Sequence, residues 1–303
     1  MVQDLVWSAV NVSALKSDDW FKDYLNKKAF NQLYILAESD HHYGRSVVTY
    51  LGPIQTVMDA IFQLVQEVTK HVDMNHHEGL HYRMGGVDVI PFVPLDKTFD
   101  PLKAIHTWAQ KVGTMMPVIL YEKSALKVDN RSLKAIRKGR FEALKTRFLK
   151  NENPCDFGDI KTGLKTGCVA IGWREPLLAY NLEFETHDDA TLNKIARKIR
   201  ASSGGHPGLD ATVFSLSKTR HHLSMNLRRF DLYSIESITN EILNQCDPKI
   251  HTFHHSEVIG LISKSMSERQ EPDIMHWIKE LKERLKISNL RAEKVLESVV
   301  SKL

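Results

Sequence analysis

His81 and Arg83 stand two residues apart in a glycine-rich segment, DMNHHEGLHYRMGGVDVIPFVPL, which spans residues 73–95. Histidine exchanges protons near neutral pH and can serve as both base and acid within one reaction. Gly79, Gly85 and Gly86 around it let backbone approach a ligand closely. The run Val87 to Val93 is apolar and β-branched and is punctuated by Pro91 and Pro94, so a short core strand is expected at the floor of a site. The competing reading is a histidine that hydrogen-bonds its own turn.

Arginine grips carboxylates with two parallel hydrogen bonds. Arg45, Arg83 and Arg174 are the candidates for binding an anionic substrate, with Gly85 offering close backbone. Arg83 could equally pin its turn from within. Asn181 and Asn226 could line a cleft, although satisfied core amides are commoner. A denser basic run, Lys134 to Arg147, reads either as a solvated helix face or as a groove for an anionic tail. His77 and His81 have the spacing of a helical metal pair, but the surrounding glycines oppose a helix, and zinc needs three or four convergent ligands. No metal site is expected, and no phosphate-binding glycine fingerprint is present.

Two halves position these residues. Leu5–Val12, Leu33–Ala37, Ser46–Leu51 and Val87–Val93 are expected as strands. Helices are expected from Ser17 to Leu25 and from Gly52 onward, the latter burying Val57, Ile61, Leu64 and Val68. The second half repeats this order. Its strands are Leu177–Phe184, Ala211–Leu216, His221–Asn226 and a stretch around Val258–Ile262, and its helices are Asp188–Ser202 and Ser234–Gln245. The fold class expected is α/β (α+β): two ferredoxin-like βαββαβ subdomains, residues 1–174 and 175–303, each a mixed or antiparallel sheet covered by helices. Between them come a helix from Pro101 to Val112, a strand Val118–Tyr121, the basic run and a glycine-rich approach. Two helices, with Ile274, Ile278, Leu281, Leu285, Val295, Leu296 and Val299 on their apolar faces, are expected at the end.

With 303 residues, 42% of them apolar, the chain can build two cores. Its net charge of +4 comes from basic residues interspersed with acids, which does not suggest a nucleic-acid partner. Neither a membrane span nor a signal peptide is expected. Cys155, Cys168 and Cys246 are odd in number and far apart, which argues against a disulfide framework and for a reducing cytoplasm.

Asp73-Met74, His77, Gly79, His81, Arg83-Met84-Gly85, Asp88-Val89, Pro91-Phe92 and Pro94 resemble, without gaps, the signature of the formiminotransferase family. Further similar words follow in order: Asn11-Val12-Ser13, Arg45-Ser46-Val47, Ile136-Arg137-Lys138-Gly139, Gly172-Trp173-Arg174, Leu178-Ala179-Tyr180-Asn181-Leu182, Ser224-Met225-Asn226-Leu227 and Ser256-Glu257-Val258-Ile259-Gly260-Leu261. The resemblance implies transfer of a formimino group from N-formimino-L-glutamate to tetrahydrofolate as co-substrate, without metal. It implies His81 as the catalytic histidine, a homodimer, and a place in histidine degradation and one-carbon supply. A stand-alone transferase is expected, with no cyclodeaminase domain attached. An acid should fix the His81 tautomer; Asp40 and Glu38 are the candidates, and Glu78 is a weaker third. The chain departs from the family at Tyr82, where proline is usual, at Gly44, at Ala14-Leu15 and at His254-His255. Those changes leave open a folate-dependent formyltransferase using 5-formyltetrahydrofolate, or a non-catalytic folate-binding paralogue.

Overall fold

The computed structural model describes residues 4–26, 32–268 and 271–303. Residues 1–3, on which part of the leader reading falls, lie outside them. The chain divides into two compact units, one running through Glu175 together with Leu303, the other Pro176–Lys302.

In the first unit the order is β1 (Leu5–Val12), α1 (Asp19–Asn26), β2 (Tyr34–Asp40), β3 (Arg45–Pro53), α2 (Ile54–His71) and β4 (Val87–Pro94). Then follow α3 (Leu102–Gly113), β5 (Val118–Leu120), α4 (Leu133–Ile136), α5 (Arg140–Leu149), α6 (Ile160–Thr166) and β6 (Val169–Trp173). The sheet runs β2-β3-β1-β4-β6-β5. Its first four strands are antiparallel, and β6 joins β4 and β5 in parallel. The β2-β3-β1-β4 part is the ferredoxin-like arrangement; β6 and β5 widen it.

Side chains alternate across this sheet. Ile90, Leu120 and Ile171 face one core with Val57, Ile61, Leu64 and Val68 of α2 and Ile105 and Val112 of α3. Val89, Ile119 and Ala170 face a smaller cluster with Leu144 and Phe148 of α5, Met84, Cys155 and Cys168. Strands buried on both faces show no polar alternation, which is why Val169–Trp173 reads in sequence as a connection and not as a strand. The basic run is also not one helix. It breaks between α4 and α5, where Gly139 and Arg140 both take positive φ (79° and 58°).

The second unit contains β7 (Leu178–Glu185), α7 (Asp189–Ile199), β8 (Leu209–Ser215), β9 (Arg220–Leu227), α8 (Ile235–Leu243), β10 (Thr252–Ile259), α9 (Ile274–Leu285) and α10 (Leu296–Val300). Its sheet is antiparallel in the order β10-β7-β9-β8, the ferredoxin-like order once more. Leu192, Ile195 and Ile199 of α7 and Ile235, Ile238 and Ile242 of α8 are buried, as the periodicity predicts. Strand β10 starts six residues before the expected apolar stretch. Its polar start pairs with the charged end of β7, and His254 Nε2 lies 3.0 Å from Glu185 Oε2. In α9, Ile278, Leu281 and Leu285 are buried, whereas Ile274 is only half-buried. Among the described residues no helix is long and apolar enough to cross a membrane.

Ile90 is fully buried in β4, between β1 and β6. Ile90→Ala should cost about 2–5 kcal/mol through lost burial and a residual cavity. A denaturant titration will show this as a lower unfolding midpoint, and an unchanged midpoint would contradict this packing.

Candidate active site

The turn between β2 and β3 is closed by Asp40, whose Oδ1 accepts the backbone N–H groups of His42 (2.8 Å) and Tyr43 (3.2 Å). Gly44 follows at φ +63°, where a Cβ would stand 2.1 Å from the Glu78 carbonyl oxygen and 2.9 Å from Gly79 Cα. The Leu80 N–H donates to the His42 carbonyl at 3.1 Å. The segment leading to His81 therefore rests on this turn backbone against backbone. On its other side, Ser13 donates its N–H to the Gly86 carbonyl (2.8 Å) and its hydroxyl to that of Gly85 (3.1 Å).

These turns enclose a recess lined by Asn11, Val12, Ser13, Tyr43, Arg45, His77, His81, Tyr82, Arg83 and Asp88. His81 is half-buried in it, outside any helix, with the Tyr43 ring edge-on at 6.0 Å. Its Nδ1 lies 2.7 Å from the Tyr82 carbonyl oxygen. A carbonyl only accepts, so Nδ1 carries the proton in the neutral ring and the lone pair sits on Nε2. Burial, then the charges of Arg45 and Arg137, hold this imidazole well below its usual range. Arg140 adds to the effect, and the Tyr82 hydrogen bond opposes it. His81 is thus an unprotonated base at neutral pH.

Cations dominate the surroundings. Burial and neighbouring Arg137 push the Arg45 guanidinium down to about 10, with Asp88 pulling the other way, so it stays charged at neutral pH. Among the described residues this guanidinium makes no hydrogen bond or ion pair; it stands 5.8 Å from the Tyr43 ring centre. Arg83 donates to the His77 carbonyl (2.9 Å) and to Glu142 (3.1 Å), and so ties the turn to α5. Arg137 is ion-paired with buried Asp88, whose other oxygen accepts the Met84 N–H at 2.9 Å. Arg140 lies over the Tyr82 ring at 4.6 Å.

His81, Arg45 and Arg83 share the recess. Gly85 is buried beside it, bridged to Gly167. Asp40 caps its own turn, and Nδ1 of His81 donates to the Tyr82 carbonyl. Glu38 lies in β2 opposite Val47. Arg174 is buried after β6, with its N–H on the Phe92 carbonyl (3.1 Å), and does not line the recess. Asn181 is buried in β7 opposite Ser224, and Asn226 is exposed in β9; both belong to the second unit. Of the departures from the family pattern, Ala14 is buried, its carbonyl accepting the Ser46 hydroxyl at 2.6 Å, and Leu15 donates its N–H to Asp18. Sequence reasoning missed Asn11, Tyr43, Asp88, Arg137 and Arg140 as site residues. All but Tyr43 sit in a motif word or in the basic run, but spacing does not tell which side chain turns inward. The basic run divides: Lys134, Lys138 and Arg147 are exposed, while Arg137 and Arg140 turn toward the recess.

Residues 6–174 match the model of the formiminotransferase domain, N-terminal subdomain. This chain belongs to the formiminotransferase family. It is 34% identical over 229 residues to a glutamate formimidoyltransferase of Streptococcus pyogenes, covering 74% of this chain and 76% of that protein. Another glutamate formimidoyltransferase, from Thermoplasma acidophilum, is 32% identical over 241 residues, with the same coverage. The formimidoyltransferase-cyclodeaminase of Gallus gallus is 29% identical over 272 residues, which make up 86% of this chain and 49% of that protein.

Two outcomes test the site. Gly44→Ala should push residues 78–81 away and lower kcat/KM more than about tenfold, since sub-ångström to ångström misplacement is that costly; circular dichroism will verify that the variant is folded. Arg137→Gln removes a cation and frees the Asp88 charge, and both changes favour imidazolium. The acid limb of the kcat/KM profile should therefore move to higher pH.

Proposed function

We propose that this chain transfers the formimino group of N-formimino-L-glutamate to tetrahydrofolate, giving 5-formiminotetrahydrofolate and glutamate. The observation that carries this reading is His81, a neutral imidazole with its Nε2 lone pair in a cationic recess. Similarity to proteins named glutamate formimidoyltransferase over three quarters of their length supports the choice of reaction.

In that reaction a folate nitrogen attacks the amidine carbon, and the tetrahedral adduct expels the glutamate nitrogen. Nε2 of His81 takes the proton from the attacking nitrogen. The resulting imidazolium faces Arg45 and Arg137, which disfavour it, so it readily passes the proton to the departing nitrogen. One histidine thus serves both steps. Both substrates carry carboxylates, and Arg45 is the cation whose hydrogen-bonding capacity is uncommitted within the described residues. Asn11, whose side-chain amide likewise makes no hydrogen bond among them, supplies a neutral contact in the recess. As the resemblance implies, we place the enzyme in the cytoplasm as a homodimer, receiving its donor from histidine breakdown.

Purified wild type and His81→Ala should be compared for turnover of formiminoglutamate and for folate affinity. The variant should lose about 10²–10⁴ in kcat while retaining folate binding. Folate binding without turnover in the wild type would instead support the non-catalytic reading, and turnover only with 5-formyltetrahydrofolate would support the formyl-transfer reading. Arg45→Met should raise KM for a carboxylate-bearing substrate by roughly tenfold or more, the worth of a charged hydrogen bond.

A further inference from the structure

Cys155 and Cys168 are thirteen residues apart in sequence, yet their Sγ atoms approach to 3.5 Å in the smaller core cluster. Both backbones are anchored to one sheet. Cys168 immediately precedes β6 and donates its N–H to the Met84 carbonyl at 3.0 Å. Beyond Cys155, Asp156 donates its N–H to the Val118 carbonyl (2.8 Å) and accepts the Leu120 N–H (2.8 Å), and Val118 pairs with Val169 in β6. The encounter of the two thiols is therefore fixed by strand register, and a bond between them needs a closing movement of only about 1.5 Å.

We propose that Cys155 and Cys168 are a disulfide-forming pair, a modification site oxidised by peroxides and lying directly under the turn that carries His81. Cys155 is 7% exposed and Cys168 0%, so Cys155 meets the oxidant first. Its sulfur attacks one oxygen of hydrogen peroxide, the O–O bond breaks, and water leaves a sulfenic acid on Cys155. The Cys168 sulfur then attacks the Cys155 sulfur, the S–O bond breaks, and a second water departs with the Cys168 proton. Two thiols lose two electrons and the peroxide becomes two waters. Burial and contact with Cys155 push the Cys168 thiol up, which keeps Cys168 from being the first to react with peroxide and slows its own attack on the sulfenic acid. The cross-link closes a short loop and ties residues 155–157 to the approach to β6, where the Cys168 N–H holds the Met84 carbonyl. This site does not depend on the transfer reaction.

The test uses the full chain, reduced and then exposed to hydrogen peroxide. Intact mass should fall by two hydrogens, titratable thiols should drop from three to one, and a peptide joining Cys155 to Cys168 should appear. The oxidised protein should melt at a higher temperature and return to its starting Tm with reductant. Cys246→Ser should behave like wild type, and either Cys155→Ser or Cys168→Ser should abolish the mass loss. Gain of oxygen without loss of hydrogen, a doubled mass from cross-linking between chains, or loss of the Cys246 thiol alone would overturn the proposal.

Discussion

Residues 72–86 have no helix or strand of their own, yet they supply His77, His81 and Arg83 to the recess, and buried backbone must find hydrogen-bond partners somewhere. Here the partners come from many elements. Met74 donates to Lys165, Leu80 to His42, and Gly86 to Thr166, while carbonyls of Arg83, Met84 and Gly86 accept from Phe141, Cys168 and Ser13. Strand β1, the β2–β3 turn, α5 and the approach to β6 all meet on this segment. The six-stranded sheet is wide because β6 and β5 must be present for one side of it to be held. An irregular segment cross-braced in this way can aim a histidine where no helix would place one.

The electrostatics follow from that enclosure. Four arginines surround one imidazole, and the acids nearby are already committed: Asp88 to Arg137 and Met84, Glu142 to Arg83. Positive potential draws anionic substrates inward and at the same time keeps His81 unprotonated. Burial first, and then repulsion from Arg137, hold the Arg45 guanidinium below its usual range.

The duplicated fold was legible because strands with one wet face alternate and the helices bury regular stripes. Val57, Ile61, Leu64 and Val68 all lie in the core as their spacing indicates. Strand β6 was illegible because it is buried on both faces and only five residues long. His81 and Arg45 could be picked out from motif words. Asp40 was recognisable as a polar loop acid, and in the structure it caps its own turn, as short acids in loops do. The inward aim of Arg137 and Arg140 depends on a backbone reversal at Gly139 that no periodicity announces. Cys155 and Cys168 look distant in sequence and become neighbours only through strand register.

That reversal has a consequence for how the chain divides its priorities. Gly139 and Arg140 both occupy the left-handed region, and Arg140 opens α5. A non-glycine residue there costs about 1–2 kcal/mol, and a cation at a helix N-terminus opposes the helix dipole. Glycine at position 140 would relieve the first cost and an acid the second. The arginine stacked on Tyr82 is held there against the preference of its own backbone and helix, so variants chosen only for thermal robustness would drift away from it and lose one of the charges that bear on His81.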